Sequence, residues 1–329
     1  MSVLLVSAGP ESEHVAAGHP ERPERVASIL EHLAQQEDLV GLPRIEPIEM
    51  DEAVVELVHT PAHAAAVRAM AERGGGWFDG DTYCAPGSHA AALRSVGAAL
   101  TAVDAVCDGR STHAFSISRP PGHHATAGRA MGFCLFNNLA IAVRHAQRRG
   151  RERIAIVDID VHHGNGTEEI FWDDPSVLYA SLHQSPLYPG TGTATARGGA
   201  TAPGLTLNVP LPAGTTGDEW LRGFDGAVLP AVVGFRPDLV LVSAGYDAHA
   251  ADPLASLDLS AATYAQAAAR LRDLCTDLGG GSVWVLEGGY DLGALGESVA
   301  ATLRGLAPPG GRAATSPPGQ VITEPGMSG

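Results

Sequence analysis

Cysteine is scarce in this chain of 329 residues. Cys84, Cys107, Cys134 and Cys275 are widely spaced and form no CxxC pair. That argues against a disulfide framework or a thiolate metal centre and fits a reducing, cytoplasmic setting. Positive charge is also short: 21 basic against 37 acidic side chains give a net charge of −16. Such acidity argues against nucleic acid as a partner, and either steers cationic partners or serves solubility alone. No uninterrupted run of 18 apolar residues occurs, so no transmembrane helix and no membrane partner is expected. The first seven residues lack a basic stretch and their apolar run is short, which predicts a buried first strand rather than a signal peptide. Internal repeats and a linker dividing the chain are absent as well; a homo-oligomer is compatible with all of this.

What the chain does contain is ordinary for a globular protein, with 45% hydrophobic and 18% charged residues. Short β-branched-rich runs recur at Val3–Val6, Ala114–Ile117, Ile154–Val157, Val177–Ala180, Leu205–Val209, Leu239–Val242 and Val283–Leu286. Such unbroken hydrophobicity suits strands buried on both faces of a parallel sheet. Helical spacing appears in Val26, Ile29, Leu30 and Leu33, and over Ala90–Val106, Leu139–Arg149, Glu219–Val233 and Ala261–Leu278, the last with Ser260 as N-cap. The alternation predicts one α/β domain of three layers (αβα) over residues 1–306. From 307 to 329, five prolines and five glycines predict a disordered tail.

The informative feature is where the polar residues fall. The runs are followed by Arg119-Pro120-Pro121-Gly122-His123-His124, by Asp158-Ile159-Asp160-Val161-His162-His163-Gly164-Asn165-Gly166, by Ser181-Leu182-His183, by Ser243-Ala244-Gly245-Tyr246-Asp247-Ala248-His249, and by Glu287-Gly288-Gly289-Tyr290. Five strands thus deliver hydrogen-bonding or ionisable groups at their carboxyl ends, the edge where open α/β sheets bind ligands. One cluster would pass as a capped, salt-bridged strand end, but five on one edge make a site. Asp158, Asp160 and His162 alternate, so an extended segment would turn all three to one side. With Asp247 from a neighbouring strand end, Asp160 and His162 supply the three ligands and open position of catalytic zinc, Asp158 being spare. His123 and His124 are general acid–base candidates, and Tyr290 can hydrogen-bond a developing oxyanion. Gly190-Thr191-Gly192 lacks the Lys-Ser/Thr and helix of a phosphate loop and reads as another kind of functional loop. His14, His19, His59, His63 and His89 fall outside the clusters and read as structural or solvated.

Taken together, the HPERPER segment (His19–Arg25), RPPGHHA, GFCLFNN (Gly132–Asn138), DIDVHHGNGT, YPGTG, SAGYDAH and EGGYDL strongly resemble the histone deacetylase superfamily, over about residues 1–306. The resemblance implies the arginase/deacetylase fold, with a mostly parallel eight-stranded sheet between helices. It implies Zn2+ on Asp160, His162 and Asp247, with His124 as general base and then acid. His123 would be its electrostatic support, with Asp158 behind it, and Tyr290 the carbonyl-polarising phenol. A structural K+ is implied at Asp158, Asp160, His162, Ser181 and Leu182. Gly132, Phe133 and Tyr188 would wall an acyl-lysine tunnel, with Asp81 at its rim. Asn165 stands where one branch carries a second aspartate behind His124, so the chain looks class II-like and its His124 less basic. Leu254, where a polyamine-selective branch is acidic, favours an acetylated lysine peptide over an acetylpolyamine as substrate. An arginase-like ureohydrolase with two manganese ions, or an idle acyl-lysine binder, are the rival readings.

Overall fold

A computed structural model describes residues 2–307; all of the predicted tail but Ala307 lies outside the described residues. The apolar runs become strands β1 (Val3–Val6), β5 (His113–Ser116), β6 (Ile154–Asp158), β7 (Val177–Gln184), β8 (Thr206–Leu211), β9 (Leu239–Ala244) and β10 (Ser282–Leu286). The edge strand β2 (Arg44–Ile45) completes an eight-stranded sheet of order β2-β1-β5-β10-β9-β6-β7-β8, and every pairing in it is parallel. A two-residue hairpin, β3 (Gly76–Trp77) with β4 (Tyr83–Cys84), stands apart.

Strand side chains alternate between two cores, as their period of two requires. Val3, Leu5, Ala155, Val157, Val240, Val242, Trp284 and Leu286 face one side. There they meet α1 (Glu24–Ala34), α7 (Leu229–Phe235), α8 (Ala261–Asp277) and α9 (Leu292–Leu306). Leu4, Val6, Ile154, Ile156, Leu239, Leu241, Val283 and Val285 face the other, against α2 (Pro61–Glu72), α3 (Ser88–Cys107) and α4 (Asn138–Arg148). These are the expected three layers. By length and composition α3 could cross a bilayer, and 72% of that window is buried inside the fold. Val96, Ala99, Leu100 and Val103 of α3 belong to the second core.

The structure changes three expectations. The Glu219–Val233 helix is really α6 (Gly217–Gly223) and α7 joined through a π-helical turn at Phe224–Val228. Ser181, Leu182 and His183 lie inside β7, not beyond its end. Strand β6 stops at Asp158, so Asp158, Asp160 and His162 do not share one face of an extended segment. The chain turns there and separates their tasks.

Candidate active site

Parallel pairing brings the site together. Asp158 is in register with Ser243 on one neighbour and Ser181 on the other. Asp160, two residues past β6, therefore lies beside Asp247, three residues past β9. One ligand atom each from Asp160, His162 and Asp247 lies within 4.8 Å of the others, and this is the one such group among the described residues. His162 Nδ1 is 3.1 Å from both Asp160 Oδ1 and Asp247 Oδ2. Ligands about 2.0–2.1 Å from a tetrahedral ion stand about 3.3 Å apart, so the spacing suits an ion the size of zinc. The Gly288 N–H donates to Asp160 Oδ2 (2.8 Å) and the Val161 N–H to Asp247 Oδ1 (2.9 Å), which aims the carboxylates' other oxygens at the imidazole.

The electrostatics ask for a cation. Both carboxylates are buried. Burial and the Asp160 carboxylate push Asp247 up to about 7. Asp160 stays below the usual carboxylate range, because His123 and His162 outweigh its burial. Burial would depress His162, but the two carboxylates lift it to about 10. Two buried anions sharing one imidazole are costly without a positive partner. The donor set therefore fits a divalent ion with one open position.

The paired histidines sit in different surroundings. His123 Nδ1 lies 3.1 Å from Asp158 Oδ2, which also accepts from the Tyr179 hydroxyl at 3.2 Å. Burial opposes a charge on His123, but Asp160 and Asp158 raise its pKa to about 10. His124 Nδ1 lies 2.9 Å from Asn165 Oδ1. An amide oxygen only accepts, so the proton sits on Nδ1 and Nε2 keeps its lone pair. Burial, then His123 and His162, hold His124 well below the usual imidazole range, so it is neutral at neutral pH.

Two predicted walls, Gly132 and Tyr188, lie against His124, and Phe133 lies against Tyr290. Gly132 adopts φ +56°, and a Cβ there would come within 2.4 Å of the His124 ring. The Phe133 ring centroid is 5.7 Å from that of Tyr290, and Tyr188 meets His124 edge-on at 5.2 Å. Tyr290 packs under the Arg25 guanidinium (4.8 Å), and its phenol pKa lies well above the ordinary value through burial, against the pull of Arg25. Asp247 and Asp160 also push it up. Asp81 is half-buried on the turn of the β3–β4 hairpin; its neighbour Thr82 accepts from the Phe133 N–H at 3.2 Å. Leu254 sits on a loop where Asp252 accepts from the Leu254 N–H (3.0 Å) and the Tyr290 N–H (2.7 Å).

Other contributors lie within the quoted motifs, but the sequence assigned them no role. Glu287 Oε2 accepts from the Gly122 and His123 N–H groups at 2.6 and 3.1 Å, fixing the backbone of the histidine pair. Glu21 is buried among Arg119, Arg25, His14 and Tyr83, and Arg25 donates to the carbonyls of Glu287 and Gly289. His19, read as structural, does hold structure, beside the predicted rim residue Asp81. Its Nε2 is 2.9 Å from the Asp81 carbonyl and its ring 4.6 Å from Phe133. His14, His59 and His63 are buried and hydrogen-bonded, and His89 pairs with Glu52.

Comparison with known proteins agrees with this fold. The histone deacetylase domain family matches residues 19–306. The chain is 39% identical to "Histone deacetylase 10, chloroplastic" of Oryza sativa subsp. japonica, over 98% of this chain and 77% of that protein. It is 43% identical to a "Probable deacetylase" of Methanothermobacter thermautotrophicus, over 89% and 87%. It is 41% identical to a "Histone deacetylase-like amidohydrolase" of Pseudomonas aeruginosa, over 84% and 73%. The crystal structure of the HDA15 HD domain superposes with a TM-score of 0.88 at 38% identity, covering 93% of this chain and 88% of that one. With the parallel eight-stranded sheet and the matched domain in agreement, the chain belongs to the histone deacetylase family.

Proposed function

We propose that the chain is a zinc-dependent deacetylase acting on acetyl-lysine in proteins or peptides. Its class, a hydrolase of the deacetylase and amidohydrolase type, follows from the family; the ion, the residue roles and the substrate are our reading. One observation carries it. Asp160, His162 and Asp247 converge beside a neutral histidine whose Nε2 is left as a base.

Bound zinc would supply a Lewis acid for the amide oxygen and make water acidic enough to ionise near neutrality. Asn165 keeps the His124 proton on Nδ1, so Nε2 takes the proton of the attacking water and passes it to the leaving amine. His123, charged between Asp158 and Asp160, stabilises the negative charge that develops in between. The raised pKa of Tyr290 keeps its phenol protonated, as a donor to the developing oxyanion. Gly132, Phe133 and Tyr188 wall the acyl chain, Asp81 receives the substrate backbone, and Leu254 presents an apolar mouth. A structural potassium at Asp158, Asp160, His162, Ser181 and Leu182 is supported by the register that sets Asp158 beside Ser181. The alternative substrate, an acetylpolyamine or other small amide, draws support from the charge of −16.

The test is acetate release by purified, zinc-loaded protein from acetyl-lysine peptides, acetylpolyamines and short aliphatic amides. All 21 basic side chains are arginine, so the chain carries no lysine to act as its own substrate. Peptide turnover that stops on chelation and returns with zinc is expected. Tight binding of the peptide without acetate would establish a binding protein, and two manganese ions with urea release a ureohydrolase.

A further inference from the structure

Two buried histidines have no part in this chemistry. His163 directly follows the ligand His162, and His183 lies near the end of β7. Each is 1% exposed, and their ring centroids are 4.8 Å apart. Both reach out to the loop that follows β7 and carries Tyr188. His163 Nδ1 is 2.8 Å from the Thr191 hydroxyl, and His183 Nε2 is 2.9 Å from the Gly192 carbonyl.

Their partners settle the hydrogen positions. A carbonyl cannot donate, so His183 carries its proton on Nε2, and its Nδ1 accepts from the Ser181 hydroxyl at 2.9 Å. His163 Nε2 lies 3.1 Å from Glu168 Oε2, a carboxylate that also accepts from Asn208 Nδ2 at 2.6 Å. That nitrogen therefore bears hydrogen, and Nδ1 faces the Thr191 hydroxyl. Gly192 lies so close that a Cβ would stand 2.5 Å from His183 Nε2 and 2.6 Å from the His163 ring. Three residues before Thr191, Tyr188 is 38% exposed, yet it is held over His124 and His162 at 5.2 and 6.3 Å.

We infer that His163 and His183, with Glu168 behind His163, form a latch that positions Tyr188 and so sets the clearance for the acyl group. Thr191 is its release point, because its hydroxyl is the loop's one side-chain tie to His163. The selectivity part rests on Tyr188 being a tunnel wall; the latch itself does not. These are positioning residues. They act on the substrate through Tyr188 and touch no reacting atom.

Thr191→Val removes the tie while keeping the side-chain shape, and Thr191→Ser keeps it. Amide hydrogen exchange across residues 186–192 should quicken about tenfold in Thr191→Val, the scale of one lost part-buried hydrogen bond, and stay at the wild-type rate in Thr191→Ser. For acetyl-lysine peptide, KM should rise about fivefold with kcat nearly constant. The preference for butyryl-lysine over acetyl-lysine peptide should rise by a similar factor, and Thr191→Ser should restore both. Glu168→Gln weakens the same chain from the other side and should move each quantity in the same direction, by less. That second variant decides the matter if Thr191→Val does not fold. Unchanged exchange in a folded Thr191→Val protein would overturn the latch. Faster exchange with an unchanged acyl preference would overturn its role in selectivity. Wild-type protein that releases no acetate would refute the deacetylase reading, while exchange would still report the latch.

Discussion

Alanine at position 132 should damage the proposed base, His124, before it damages the fold. Its Cβ would stand 2.4 Å from His124 Cδ2, 2.7 Å from Cγ and 3.0 Å from the His124 Cβ. Carbon atoms rest about 3.5–4.0 Å apart, so the ring must move by about 1 Å. Such a move breaks the 2.9 Å bond to Asn165 that keeps Nε2 free. Misplacing a reacting group by about 1 Å costs about 100-fold in rate. A side chain at φ +56° and the overpacking together should cost about 2–4 kcal/mol of stability. The assay is kcat for acetate release from an acetyl-lysine peptide, alongside bound zinc and a thermal melt. We expect kcat to fall about 100-fold and the melting temperature by several degrees, with zinc content unchanged. A folded Gly132→Ala protein turning over within threefold of wild type would refute either the packing of His124 or its role as base.

Tyr290→Phe should lower kcat by roughly 10²–10³-fold with little change in KM, as for loss of one oxyanion donor; undiminished turnover would remove the phenol from the mechanism. Asp247→Asn should weaken zinc binding by more than about 100-fold, since even groups behind a ligand are worth about 10–100-fold. Competition with a chromogenic chelator reads this, and wild-type affinity would mean that Asp247 is no ligand. Glu21→Gln leaves Arg25 and Arg119 facing a neutral side chain and should cost about 3–5 kcal/mol, read from urea midpoints at pH 7. Against its burial, Arg119 and His14 hold the Glu21 carboxyl well below its ordinary value. Its stabilisation is therefore complete above the unfolded value of about 4.3 and is lost as pH falls through the lower folded value. The wild-type midpoint should accordingly fall on acidification below about pH 4, and that of Glu21→Gln less steeply. Equal midpoints at pH 7 would refute the argument.

Much of this was legible in the chain because strands buried on both faces announce themselves as unbroken apolar runs. Val3–Val6 and Val283–Leu286 needed no knowledge of their neighbours. Edge strand β2 has two residues beside Pro43 and buries little, so it left no such trace. The proposed ligands were found through a premise the structure does not share. The alternation of Asp160 and His162 pointed to both, yet they lie on a turn past β6, and Asp158 serves His123 instead. Partners far apart in sequence stayed hidden. Glu21 meets Arg119 across 98 positions, and Arg25 reaches Gly289 across 264. Local periodicity says which face a side chain takes, not what it meets there.

The seven-residue helix α5 (Asn165–Phe171) carries Asn165 behind His124 and, one turn on, Glu168 behind His163. With the roles proposed above, catalytic proton traffic and the gauge of the acyl channel are geared to a single short axle. A substitution that tilts it retunes speed and chain-length preference together. Engineering one without the other has to leave that axle seated and work on Tyr188 directly.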